Sequence, residues 1–292
     1  MQTLKRPEGN EPADFHLSRR GVAGLFFAGF APAALSAEAD PIVTDEAGLT
    51  IEEVHYPSSG FDLPAYVARP AAAGRHPAIL VVNEVFGLHA YIKDICRRLA
   101  KLGYVAVAPA FFARAGDPAP LSDVAAVMKI VAQASDQQVM GDVGATLDWM
   151  KSRPFVAPHK LGITGFCWGG GVVWLACERF HDLKAGVAWY GRMAPAPGAT
   201  PIPGRLWPID DVRNLTAPVL GLYGAKDQLS ASVPAMREAL AKAGKTTSEI
   251  VVYPDAGHGF HADYRATYVE GDAKDGWARM LAHFRRFGVT PA

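Results

Sequence analysis

From Thr50 onward, short runs of strand character alternate with segments of helical period, and this alternation is what most constrains the fold. Ala78 to Val82, Tyr104 to Ala108, Lys160 to Thr164, Ala185 to Trp189, Pro218 to Leu222 and Glu249 to Tyr253 are rich in apolar residues. A half-covered strand would alternate apolar with polar residues, so such runs belong to strands buried on both faces of a parallel sheet. Between them, Ala90 to Leu102, Asp136 to Lys151, Gly170 to Arg179, Val233 to Ala243 and Glu270 to Phe287 carry helical spacing. Gly103 and Gly244 stand where left-handed C-terminal caps belong. Thr50 to Pro57 and Leu63 to Arg69 read as an opening antiparallel pair. The expected architecture is α/β: a mostly parallel sheet covered by helices on both faces, in three layers. The Pro-rich stretch Met193 to Pro208 suits neither a helix nor a central strand and is expected to cross the carboxyl edge of the sheet as a surface excursion.

The chain's 292 residues suffice for one large core, with no internal repeat and no composition shift marking a second domain. The 29 Lys and Arg residues balance 29 Asp and Glu. No net field therefore draws nucleic acid or an anionic membrane, and a small, weakly charged partner and a monomer are expected. Ahead of the domain, Ser18-Arg19-Arg20 precedes the apolar run Gly21 to Leu35 and the small residues Ser36-Ala37-Glu38-Ala39. That layout reads as a cleavable export signal of twin-arginine type over 1–39, leaving a domain of 40–292 and a periplasmic location, with a cytoplasmic protein as the alternative. Pro32 interrupts the run, which is shorter than the ~20 residues a spanning helix needs. No stable membrane insertion is expected.

The chemistry centres on Gly165-Phe166-Cys167-Trp168-Gly169, placed directly after a strand and before a helix. A sharp strand-to-helix turn with small flanking residues exposes the middle side chain, and the helix amino end favours a thiolate and an oxyanion beside it. Neither the dinucleotide glycine pattern nor the P-loop Lys-Ser/Thr is present. A thiol nucleophile needs a base, and the base an orienting acid. Asp227, in Gly224-Ala225-Lys226-Asp227, and His258, in Asp255-Ala256-Gly257-His258-Gly259-Phe260, each follow a strand, giving the order nucleophile, acid, histidine. Cys96 and Cys177 lie among apolar helical residues and read as small hydrophobes, forming neither a disulfide framework nor a zinc site. His55, His89 and His261 lack metal-ligand spacing, so no metal and no cofactor is expected.

Asn83-Glu84-Val85-Phe86-Gly87, Gly165-Phe166-Cys167-Trp168-Gly169-Gly170, Gly224-Ala225-Lys226-Asp227 and Gly257-His258-Gly259-Phe260 together resemble, in order, the signature segments of dienelactone hydrolases. The resemblance runs from about Thr50 to Gly288 and implies an α/β-hydrolase fold and hydrolysis of a lactone or ester. It implies Cys167 as nucleophile, His258 as base and Asp227 as its partner, with Glu84 contacting the thiol. A carboxylate there would oppose the thiolate by like-charge repulsion, making activation regulated. The oxyanion would be held by the backbone N–H groups of Val85 and Trp168. Arg114 matches the position of a substrate-carboxylate arginine. The second arginine of the family pattern is replaced by Ala262, with Arg265 the nearest candidate. Phe86, Phe111, Phe112, Trp168 and Tyr190 are candidates for an acyl pocket or for core. Alternatives are a thioesterase or general carboxylesterase on the same scaffold, and a non-catalytic binding protein.

Overall fold

The computed structural model describes residues 41–196, 198–200 and 202–291; the expected signal segment lies outside the described residues. Strands β1 (Leu49–Ser58) and β2 (Phe61–Pro70) form an antiparallel hairpin, closed by Ser59 and Gly60, both at positive φ. They are followed by β3 (His76–Val82), β4 (Val105–Pro109), β5 (Val156–Phe166), β6 (Leu183–Trp189), β7 (Val219–Gly224) and β8 (Glu249–Tyr253). Spatial order is β1-β2-β4-β3-β5-β6-β7-β8; β2 pairs antiparallel with β4 and every pair from β4 to β8 is parallel. The central strands are buried along their length, as their continuous apolar runs require.

Seven α-helices occur among the described residues: α1 (Ala90–Lys101), α2 (Val124–Val131), α3 (Asp136–Lys151), α4 (Trp168–Arg179), α5 (Pro208–Asp211), α6 (Val233–Lys242) and α7 (Glu270–Arg286). Adjacent positions on β5 and β6 show how the layers divide. A side chain at Gly162 would strike Phe284 of α7, while one at Gly186, in register with Ile163, would strike Val173 and Cys177 of α4. Successive strand residues point to opposite faces, so α4 and α7 lie on opposite sides of the sheet. α1 packs on the sheet through Tyr91 against Phe166 at the end of β5, and α3 lies beside α4.

The expected helices and strands are present, most with ends shifted by a residue or two and β5 beginning four residues earlier than expected, and Gly103 and Gly244 cap their helices in left-handed geometry at φ 92° and 69°. Helix α2 was not anticipated. It has no polar face in sequence and buries only Val127 and Val131, four apart, with Asp123 capping its start through Ala125 N–H at 3.0 Å. The excursion after β6 gives way to the single turn α5, which opens at Pro208, where a missing N–H does no harm. Cys96 and Cys177 are buried free thiols whose ionisation burial pushes well upward.

The strand order locates the site. From β3 the chain steps outward to β4, then returns to β5 on the other side of β3, so connections diverge between β3 and β5. A crevice opens at such a switch point, beyond the carboxyl ends of the strands. Glu84 follows β3 and Cys167 follows β5 there.

Candidate active site

Cys167 occupies the turn between β5 and α4 at φ 55° and ψ −116°, a conformation that side chains rarely adopt. The neighbouring glycines permit it. A Cβ on Gly165 would lie 2.4 Å from the Gly169 carbonyl oxygen, and one on Gly169 would lie 2.6 Å from the carbonyl oxygens of Val82 and Asn83. The elbow is thus pressed, backbone against backbone, onto the end of β3. The Cys167 N–H donates to Trp189 O at 3.0 Å, tying the turn to β6. The sulfur-bearing residue itself is buried.

Asp227 follows β7 and splits its carboxylate between two duties. Oδ1 accepts from Leu229 N–H at 3.0 Å, and Oδ2 lies 2.7 Å from Nδ1 of His258. The first bond fixes the carboxylate, and the second orients the imidazole so that its other nitrogen is turned from Asp227. His258 is brought back by the loop after β8, which lies so close to β7 that a Cβ on Gly224 would meet the Ala256 carbonyl at 2.4 Å. Both residues are buried. Burial opposes a charge on His258, yet the Cys167 sulfur and the Asp227 carboxylate outweigh it and hold the imidazole proton up to a pKa of about 10. Three side chains expected from sequence to act together therefore converge from three loops.

Glu84 is fully buried and its carboxylate is enclosed by a set of groups that sequence did not announce. Tyr264 Oη donates to Oε2 at 2.5 Å, His89 Nε2 lies 3.4 Å from the same oxygen, and Arg265 Nη2 lies 3.9 Å from Oε1. Burial alone would raise its pKa, but Arg265, His89 and the Tyr264 hydrogen bond bring it down to about 2. The repulsion that an ionised Glu84 was expected to exert on the thiol is thus offset by Arg265. The Arg265 guanidinium also lies 5.0 Å above Phe86 and 5.4 Å from the Tyr264 ring centre. Arg265, not Ala262, brings positive charge here, three residues beyond the anticipated position; Ala262 is buried.

Arg114, which the resemblance matches to a substrate-carboxylate arginine, is engaged by protein groups. Its two Nη atoms bind Asp142 at 2.7 and 2.8 Å, Nη2 also donates to Ser58 O at 2.8 Å, and the guanidinium covers Phe61 at 4.5 Å. Asp142 on α3 is buried, and a buried carboxylate demands a bidentate cation more strongly than an open crevice does. Another arginine was missed: Arg192, half-buried two residues after the turn at Tyr190. Burial, then Arg205, lowers its pKa, while Cys167 and Asp227 act in the opposite sense. Its sequence context, a Pro-rich loop, gave no motif to find it by. Of the aromatic candidates, Trp168 packs on Phe111 and Phe112 at 5.8 and 4.8 Å, and Tyr190 stands edge-on to His258 at 5.1 Å.

The dienelactone hydrolase family profile matches residues 63–288. A Methylorubrum extorquens protein provisionally named a carboxymethylenebutenolidase is 47% identical over 279 residues, covering 94% of each chain. A Salmonella typhimurium protein with the same provisional name is 46% identical over 264 residues, 89% of this chain and 96% of that one. Among solved structures, a provisionally named dienelactone hydrolase from Klebsiella pneumoniae superposes with a TM-score of 0.76 at 46% identity, covering 82% of this chain and 99% of that one. With the sheet, the switch-point crevice and these matches in agreement, the chain belongs to the dienelactone hydrolase family of α/β-hydrolases, enzymes that act on esters and lactones.

Proposed function

We propose that this enzyme cleaves a small lactone or ester through a Cys167-His258-Asp227 triad and a thioacyl-enzyme intermediate. The observation that carries the reading is the 2.7 Å bond from Asp227 to a buried His258 that in turn interacts with Cys167 on a strained elbow. His258 takes the Cys167 proton, and the sulfur attacks the carbonyl carbon. The resulting oxyanion is received by the N–H groups of Val85 and Trp168, aided by the amino end of α4. His258 then returns the proton to the leaving alkoxide as the carbon–oxygen bond breaks. Water, deprotonated by His258, attacks the thioester carbonyl, and departure of the Cys167 sulfur releases the carboxylic acid.

The commitment of Arg114 to Asp142 favours a second reading, a general carboxylesterase or thioesterase on the same machinery. Steady-state turnover of cis- and trans-dienelactone, short p-nitrophenyl esters and an acyl thioester, by the protein and its Cys167→Ala variant, tests both. Fastest turnover of the dienelactones, abolished by Cys167→Ala, supports the lactonase reading. Turnover of neutral esters alone moves the substrate to the second reading, and activity surviving in Cys167→Ala overturns the mechanism. The twin-arginine layout of residues 1–39 supports export to the periplasm as part of this proposal.

A further inference from the structure

Tyr190 combines two costly features beside the sulfur. It is held at φ 40°, a left-handed backbone that a tyrosine rarely adopts. Its N–H is fixed to Leu222 O at 2.8 Å, and the next residue, Gly191, passes so close to α4 that a Cβ there would lie 2.2 Å from the Gly170 carbonyl carbon. The turn is thereby clamped between β7 and the elbow. Its ring is buried against His258, Phe260 and Phe166.

The hydroxyl is the second feature. It is buried with no hydrogen-bond partner among the described residues. The other buried tyrosines differ: Tyr56 pairs with Thr146, Tyr66 with Arg97, Tyr91 with His261, Tyr104 with Val289 O, Tyr223 with Trp174 and Gly191 O, Tyr253 with Asp275, and Tyr264 with Glu84. A buried phenol normally finds such a partner, because leaving it without one forfeits its hydration for nothing. Phenylalanine would fill the same space without that cost. The ring stands 5.1 Å from that of His258, and Glu84, Arg265, Tyr264 and Cys167 are near enough to act electrostatically on the hydroxyl, so the phenol belongs to the same buried site as the sulfur.

We propose that Tyr190 is a substrate-contacting residue, its hydroxyl donating a hydrogen bond to an oxygen of the acyl compound bound at Cys167. This assignment rests on the hydrolase reading above. The strained turn aims the phenol, and the bound ester or lactone supplies the acceptor that the protein does not. Acyl compounds bearing an oxygen within its reach are favoured over plain hydrocarbon acyl groups.

Tyr190→Phe separates this role from packing. The variant is expected to lose about tenfold or more in kcat/KM toward a lactone or ester that the parent hydrolyses, with Tm unchanged or higher. A kcat/KM within about twofold of the parent would overturn the assignment alone, since the hydroxyl would then touch nothing that matters. A fall in Tm together with activity would also overturn it, because the hydroxyl would be serving a protein group. Absence of ester turnover in the parent itself would bring down the hydrolase reading and this assignment with it.

Discussion

Glu84→Gln isolates the charge of the buried carboxylate, since glutamine keeps its shape and an acceptor for Tyr264. The substitution removes the counter-charge of Arg265, whose side chain is only 10% exposed. Two routes give the cost. Breaking a buried ion pair from one side costs about 3–5 kcal/mol. Independently, a drop from 4.5 to about 2 in the Glu84 pKa corresponds to about 3 kcal/mol of folding free energy near neutral pH, with no solvent discount for a fully buried group. For a domain of this size that lowers Tm by about 6–12 °C. The sign with pH follows from a depressed carboxylate: its contribution is present above about pH 4.5 and is lost as pH falls toward 2. Thermal unfolding followed by circular dichroism at neutral pH, and urea unfolding on the acid side, read both effects. The variant should lose stability at neutral pH and show a flatter acid limb. Adding Arg265→Met should recover part of the loss, because it removes the charge left behind. A Tm within about 2 °C of the parent, or an unchanged acid limb, would refute the pairing as the source of the low pKa.

Asp227→Asn retains an acceptor for Leu229 N–H but no longer enforces the imidazole tautomer, and kcat should fall by about 10³–10⁴-fold with little change in Tm, read by steady-state kinetics and thermal melts. Arg114→Met leaves Asp142 buried with only Ser58 Oγ among its side-chain partners here, so urea unfolding should show a loss of about 3–5 kcal/mol while the preference for charged over neutral esters stays unchanged. His258 has a raised pKa, so its contribution to stability is full below about pH 6.5 and is lost as pH rises through about 10. The stability difference between the protein and His258→Gln, measured by urea unfolding, should therefore shrink across that alkaline window; a constant difference would contradict the charged pairing.

The sequence by itself determined the layers and the chain order of the site. Continuous apolar strands must be covered on both sides, which calls for helices between them, and the glycines around Cys167 are written into the motif because only a bare backbone fits where 2.4 and 2.6 Å approaches occur. Cys167, Asp227 and His258 were legible because each follows a strand of recognisable pattern, and a parallel sheet delivers all strand ends to one edge. Helix α2 was not legible, because a mostly apolar segment of eight residues is too short for its pattern to distinguish a helix from a strand. What only the tertiary structure decided is how charge is compensated. Arg114 and Arg265 look alike in sequence, yet buried Asp142 captures the first and buried Glu84 the second, because desolvation leaves a carboxylate no acceptable neighbour but a cation. Tyr190, one aromatic residue among several at strand ends, acquires its significance only when the folded backbone twists it to positive φ and buries its hydroxyl without a partner among the described residues.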